Sequence, residues 1–175
     1  MIKEEAVLEA AYEVFLTYGF KKVSMQEIAA AAGISRPALY LRYRSKRELF
    51  LAVIERVLSQ RLAHVETALL TLTSTRERVE TALDLWYVEM FDLKQSSKEA
   101  RELFEVGLSF SQERLAAWDR RFEELLARQF INRGGLSPAE ISLVISSSVY
   151  GLRSEASTKE EFRRLIGQLL DLCGY

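Results

Sequence analysis

The chain has 175 residues, of which 49% are hydrophobic and 28% are charged, a composition typical of an ordinary globular protein. Its hydrophobic runs fall short of the roughly 18 residues needed to cross a membrane. Acidic residues within the first fifteen positions argue against a signal peptide, so we expect a cytoplasmic protein. A single cysteine and a single histidine argue against a metal site, a cofactor cluster or a histidine-based catalytic triad. We therefore expect no metal, no cofactor and no enzymatic activity.

The net charge of −1 conceals an uneven distribution of charged residues. Residues 1–50 carry a net charge of +2, whereas the remaining residues carry −3. Within residues 21–47, seven basic side chains accompany one acidic side chain. A basic region on an otherwise acidic protein is typical of a surface that faces nucleic-acid phosphates. On charge alone, however, a solvated charged face remains the simpler interpretation.

Hydroxyl residues that begin helices divide most of the chain into helical segments. A serine followed three residues later by a glutamate forms a capping box, in which each side chain satisfies a free backbone amide of the first turn. Such pairs predict helix starts at Ser24, Ser45, Ser74, Ser137 and Ser157. Ser35 predicts a further start, Gly19 predicts a helix end, and residues 107–111 predict a break. Without a strand signal, the pattern predicts an all-α protein of about nine helices.

Residues 25–43 have the pattern of two short helices joined by a tight turn. Ala29 is small enough to lie where the two helices cross, and Gly33 can adopt the positive φ that ends the first helix. Ile28, Ile34 and Leu39 are spaced to form a small core beneath them. Together with the preceding helix these segments predict a helix-turn-helix unit, whose second helix enters the major groove of DNA.

Residues 5–55 resemble the N-terminal domain of the tetracycline-repressor (TetR) family of bacterial regulators. The matching stretches are AAYEVFLTYGF, SMQEIAAAAGIS, PALYLRYRSKRELF and LAVIE. The resemblance implies that Ser24, Tyr40 and Lys46 contact DNA phosphates. Arg42 stands where the family usually has His or Tyr, and Tyr43 stands where it usually has Phe. Both substitutions are compatible with a surface that faces phosphate.

The second short helix supplies most of the candidate DNA contacts. Arg36 can read a guanine with two hydrogen bonds, bind a phosphate or make no DNA contact, and the sequence does not decide between these roles. Tyr40 is expected to face DNA because Leu39 occupies the buried position beside it. The complete set of predicted DNA-contacting residues is Ser24, Ser35, Arg36, Pro37, Ala38, Tyr40, Leu41, Arg42, Tyr43 and Lys46.

The remaining two thirds of the chain suggest a ligand site and a dimer interface. Large side chains in the middle region either form a helical core or line an effector pocket. These pocket candidates are Trp86, Tyr87, Met90, Phe91, Phe104, Phe110, Trp118 and Phe122. Apolar stripes on the last two helices either enter the core or pair with a second copy of the chain. These interface candidates are Ile141, Ile145, Val149, Leu152, Phe162, Leu165, Ile166 and Leu169.

The sequence therefore predicts a DNA-binding domain over residues 1–45 and an effector-binding and dimerisation domain over residues 46–175. The expected function is that of a transcriptional repressor that binds a palindromic operator as a homodimer and responds to a small apolar or aromatic molecule. The dimerisation expectation rests partly on the family resemblance. The alternative is an architectural DNA-binding protein that has no ligand. A helical enzyme or metalloprotein is disfavoured because the sequence lacks clustered ligating residues.

Overall fold

A computed structural model of the chain describes residues 4–175, and these residues are mainly helical. Only an isolated bridge between Arg133 and Leu136 has β character in the described part. The helices are α1 (Glu4–Tyr18), α2 (Met25–Ala31), α3 (Arg36–Arg42), α4 (Lys46–Leu69), α5 (Thr75–Leu83), α6 (Glu89–Ser96), α7 (Lys98–Ala127), α8 (Pro138–Leu152) and α9 (Lys159–Leu172). A π-helical segment, Asp84–Val88, joins α5 to α6. The all-α prediction is confirmed.

The predicted capping residues begin most of these helices. Ser24 and Ser137 form complete capping boxes with the glutamates three positions later. The box predicted at Ser157 is wrong by one residue, because Thr158 caps α9 and accepts from the Glu161 amide at 3.1 Å. Two hydroxyl residues in succession, followed by two glutamates in succession, offer equivalent pairings, and local sequence does not distinguish them.

The predicted break in the long segment after residue 96 lies at Ser111. This residue has φ −158° and ψ 44°, which interrupts the helical backbone of α7. The first half of α7 and its second half consequently follow separate helical paths. The break falls inside the range 107–111 that the sequence indicates.

The chain divides into two compact units. The N-terminal unit contains the chain up to Ser59 together with Lys94–Leu115, and the C-terminal unit contains Gln60–Leu93 and Ala116–Tyr175. The N-terminal unit is therefore larger than the predicted domain of residues 1–45. It also includes the first half of α4 and the first half of α7, because these segments pack on the first three helices.

The core of the N-terminal unit holds the two short helices in place. Buried side chains come from α1, α2, α3 and α4, and they are Val7, Ala11, Phe15, Met25, Ile28, Ala29, Leu39, Leu49, Phe50 and Val53. Phe110 of α7 packs edge-to-face against Phe20, with 5.4 Å between ring centroids. Such aromatic contacts bury large areas and favour one relative orientation of the rings. Helices α2 and α3, each of seven residues, thus depend on their neighbours for stability.

The C-terminal unit has its own core, and this core contains most of the predicted dimer-interface residues. Ile141, Ile145 and Val149 of α8 are buried within the single chain, as are Phe162 and Ile166 of α9. The other three candidates, Leu152, Leu165 and Leu169, are half-buried. The predicted stripe therefore stabilises the unit itself. The apolar side chains that α8 leaves exposed are Leu143, Val144 and Tyr150.

Candidate nucleic-acid interface

The turn between α2 and α3 is closed by backbone hydrogen bonds around Gly33. The Gly33 amide donates to the Ala30 carbonyl at 3.1 Å, and the Ile34 amide donates to the Ala29 carbonyl at 3.0 Å. This pair of bonds defines a Schellman motif, which requires a left-handed residue after the helix. Gly33 has φ +66°, as the sequence predicts. The motif fixes the direction in which α3 leaves α2.

Replacing Gly33 tests this turn directly. A Cβ at Gly33 would meet nothing within 4 Å, so the effect of substitution comes from backbone conformation alone. A β-branched residue is an outlier at positive φ, at a cost of about 1–3 kcal/mol, whereas Asn tolerates this region. Gly33→Val is expected to weaken DNA binding at least about tenfold while the C-terminal unit stays folded. Gly33→Asn is the matched control, and equal DNA affinity of both variants, measured by fluorescence anisotropy, would refute the turn assignment.

Helix α3 is anchored by one side and exposed on the other. Ser35 caps its first turn by accepting from the Ala38 amide at 3.2 Å, and Leu39 is fully buried. Tyr40 and Leu41 are 40% and 88% exposed, respectively. The guanidinium of Arg36 lies over the Tyr40 ring, 5.4 Å from its centroid. The structure therefore brings Arg36, Tyr40 and Leu41 together on an exposed surface, with Pro37 and Arg42 also exposed and Ala38 half-buried.

Ser24 and Glu27 form a closed pair at the start of α2. The Ser24 hydroxyl donates to Glu27 Oε2 at 2.7 Å and accepts from the Glu27 amide at 3.3 Å. The Ser24 amide also donates to Glu27 Oε2, at 2.7 Å. These hydrogen bonds from Ser24 lower the pKa of Glu27. A phosphate contact by the Ser24 hydroxyl, which stays a prediction, would require its proton to turn away from Glu27.

The lowered pKa of Glu27 predicts a pH dependence of stability. Because the carboxylate is favoured in the folded state, its contribution is present above the unfolded value, which is about 4.5, and is lost as the pH falls through the lower folded value. Glu27→Gln keeps a side chain that can accept in a capping box but removes the titration. Urea unfolding at pH 7 and pH 3 is expected to show the wild type more stable than Glu27→Gln at pH 7, with a smaller difference at pH 3. A difference that does not change with pH would contradict this assignment.

Lys46 points into the protein. Its Nζ donates to the carbonyls of Phe20 and Val23, both at 2.6 Å, and to the Lys21 carbonyl at 3.4 Å. An ammonium has three N–H donors, so these bonds occupy all of them. Burial lowers the pKa of Lys46, an effect that Glu102 and Glu27 oppose. The ammonium therefore holds the segment between α1 and α2 against the start of α4. A phosphate contact by this side chain, which stays a prediction, would require at least one of these hydrogen bonds to break.

Tyr43, one of the predicted DNA contacts, is also turned inward. Its side chain is buried, and its hydroxyl donates to Glu4 Oε1 at 3.0 Å. Burial, followed by the bond to Glu4, raises the pKa of Tyr43 to about 12. The ring lies in the core of the N-terminal unit, and its hydroxyl ties α1 to the end of α3. Tyr43 is thus a structural residue of the unit.

Two acidic residues of α7 lie beside the basic region, and no local sequence pattern predicts this contact. Glu102 Oε1 accepts from the Lys21 amide at 2.8 Å, and Glu99 lies 3.6 Å from the Lys22 ammonium. The local positive charge is consequently smaller than the count over residues 21–47 indicates. A separation of about 80 residues along the chain hides this contact from local patterns. Arg42, in the last turn of α3, and Arg44, just after α3, are also exposed.

The predicted effector-pocket residues fall into both units. Trp86 stacks on Phe122 with 4.9 Å between centroids, and its indole N–H donates to Asp119 at 3.3 Å. Burial raises the pKa of Asp119. Tyr87, Met90, Phe91 and Trp118 belong to the same C-terminal unit. Phe104 and Phe110 belong to the N-terminal unit, where Phe110 is part of the aromatic core, so the eight candidates are divided between the two units.

The described residues contain no group of three or more side chains suited to a metal ion, and none of the described helices is long and apolar enough to span a membrane. The geometry of α2, the Gly33 turn and α3 defines a helix-turn-helix protein.

Comparison with known proteins shows which family the N-terminal segment resembles. Residues 7–53 match the family described as "Bacterial regulatory proteins, tetR family", so this segment of the chain is similar to that family. The transcriptional activator FasR of Mycolicibacterium smegmatis is 41% identical over 81 residues, which cover 46% of this chain and 37% of FasR. The transcriptional repressor BepR of Brucella suis is 40% identical over 52 residues, which cover 30% of this chain and 25% of BepR. Both alignments thus span well under half of the relative.

The fold extends beyond the matched segment. A transcriptional regulator from Cytophaga hutchinsonii superimposes with a TM-score of 0.77 at 17% identity, over 96% of this chain and 94% of that chain. At this level of identity the likeness concerns the fold. The C-terminal unit therefore shares the architecture of known regulators while its sequence differs from theirs.

Proposed function

We propose that this protein is a transcriptional regulator that binds a palindromic DNA operator as a homodimer. The observation that carries the proposal is the exposed face of α3, where Arg36, Tyr40 and Leu41 project from a helix fixed by the Gly33 turn and by the buried Leu39. A short helix held in this way fits the major groove of B-DNA. Arg42 and Arg44 beside it supply positive charge for the phosphates.

The small size of α3 supports dimerisation as part of the proposed function. A helix of seven residues covers only one half-site, and two copies joined rigidly gain affinity by acting together. Leu143, Val144 and Tyr150 form an exposed apolar stripe on α8, with the small residues Ser147 and Gly151 among them. Such a stripe suits a two-fold contact between identical helices. We therefore place the dimer contact on this exposed stripe of α8.

We also propose that a small, mostly apolar or aromatic molecule regulates binding through the C-terminal unit. Its support is the group of large side chains around Trp86, Tyr87 and Phe122, beside the half-buried carboxyl of Asp119. A regulatory molecule must bind more tightly to the form that does not bind DNA. Helix α4 contributes residues to both units. We therefore propose that α4 transmits the conformational change between the effector site and the DNA-binding helices. We place the complete protein in the cytoplasm, where its DNA lies.

Selection from a random duplex library with the intact protein tests the proposal. The expected result is enrichment of a palindrome whose half-site centres lie one or more helical turns apart, each turn being about 34–36 Å. Affinity for that duplex is expected to fall steeply with salt concentration. Failure to enrich any sequence, combined with equal binding to all duplexes, would favour the architectural alternative. No binding to any duplex would refute a DNA-binding function.

A further inference from the structure

The most outward side chains of α3 are apolar. Each residue of an α-helix advances by about 100°, so Pro37 and Leu41 lie about 160° from the buried Leu39, one on each side. Leu41 is 88% exposed, and Pro37 is also exposed. Arg36 lies nearer to the buried side of the helix, and its guanidinium is stacked on Tyr40. The centre of the exposed face thus carries hydrocarbon, with the polar groups at its margin.

The charges around this apolar centre indicate which kind of molecule it contacts. Arg42 and Arg44 are exposed beside it, so the surface as a whole suits a polyanion. Apolar groups are scarce on the edges of DNA bases, and the major groove offers the C5 methyl of thymine as its apolar contact. A protein partner would instead need an acidic rim around an apolar patch. The arginines beside Leu41 therefore favour DNA as the occupant.

We propose that Leu41, assisted by Pro37, recognises thymine methyl groups and thereby sets part of the sequence preference of this protein. The inference rests on the proposed function, since it concerns how α3 reads DNA. Removing a methyl from water on contact with Leu41 favours a thymine over the other three bases at that position. The expected half-site accordingly contains at least one thymine whose methyl group is required.

Replacing thymine by uracil in the selected duplex tests the proposal, because uracil lacks only the methyl group. Each thymine of the enriched palindrome is replaced in turn, symmetrically in both half-sites, and affinity is measured by fluorescence anisotropy. At one or two positions per half-site we expect about a fourfold loss for each methyl, or roughly fifteenfold for the symmetric pair, given the free energy of burying one carbon.

The variant Leu41→Ala links this loss to the side chain. In Leu41→Ala the uracil substitution at the same position is expected to have little or no effect, because the methyl has lost its contact. Leu70→Ala is the matched control, since Leu70 is 81% exposed and lies beyond the end of α4. This control is expected to show the full uracil effect of the wild type.

The outcomes separate the inference from the proposed function. If the protein enriches a palindrome but no uracil substitution weakens binding, thymine recognition is wrong while DNA binding stands. If Leu41→Ala weakens binding to thymine and uracil duplexes equally, Leu41 contacts the sugar or the phosphate and the inference is wrong. If no duplex is enriched, both proposals fail together. A loss at uracil that disappears in Leu41→Ala supports the inference.

Discussion

Placing a glutamate at Val144 is expected to convert the protein into a monomer and to weaken operator binding by a factor of about 100 to 10,000, which is the gain that joining two binding modules provides. Val144 is just over half exposed and projects from α8 in the stripe that includes Leu143 and Tyr150. A charge there would be buried without a partner on dimerisation, and this opposes association strongly. Analytical ultracentrifugation and anisotropy measure the two effects.

Two control variants separate loss of the dimer from loss of the fold. Ile131→Glu places the same charge at an exposed position of the C-terminal unit outside α8 and is expected to remain dimeric. Val149→Glu introduces a charge into the core of the unit and is expected to unfold it, because Val149 is fully buried. A Val144→Glu protein that sediments as a dimer would show that α8 does not form the interface.

Lys46→Met is expected to destabilise the N-terminal unit by about 2 kcal/mol, because it leaves backbone carbonyls between α1 and α2 without their charged donor. Because Lys46 is only half-buried, water can replace some of these hydrogen bonds in the variant. The loss of stability is therefore smaller than the loss of three fully buried hydrogen bonds would give. Hydrogen exchange of the α2 amides is expected to accelerate in the variant, while exchange in the C-terminal unit stays unchanged.

The same variant decides between two roles for Lys46. If the ammonium holds the segment of Phe20, Lys21 and Val23, stability falls and DNA affinity falls with it. If the ammonium instead binds phosphate, affinity falls while the α2 amides keep their protection. Lys21→Met provides the comparison, because it removes an exposed basic side chain from the same region. This control is expected to leave stability unchanged and to weaken DNA binding only modestly.

Local signals in the sequence predicted the features that local interactions determine. The Ser24 and Ser137 capping boxes, the positive φ of Gly33 and the break near Ser111 depend on residues within a few positions of each other. Their hydrogen bonds and dihedral angles form in the same way in many folds. The capped helix starts and the helix-turn-helix unit therefore follow from the sequence. The start of α9 is misplaced by one residue, and the π-helical segment Asp84–Val88 and the extension of α6 to Ser96 are not predicted.

The features that the sequence does not predict depend on contacts between distant parts of the chain. The direction of Lys46 depends on carbonyls more than twenty residues earlier, and the charge around Lys21 depends on Glu102, 81 positions later. Apolar periodicity on α8 marks a buried face but does not say whether the core or a second copy buries it. The structure resolves that question for Val149, which lies in the core of the single chain.

A crystal structure of the protein bound to its enriched duplex tests the central claim most directly. We expect two copies related by a two-fold axis, with α3 of each copy in the major groove and their centres one or more helical turns of about 34–36 Å apart. In that complex Tyr40 and Leu41 contact DNA, whereas Tyr43 stays buried. A complex in which α3 lies away from the major groove, or in which a single copy occupies the whole site, would contradict the account.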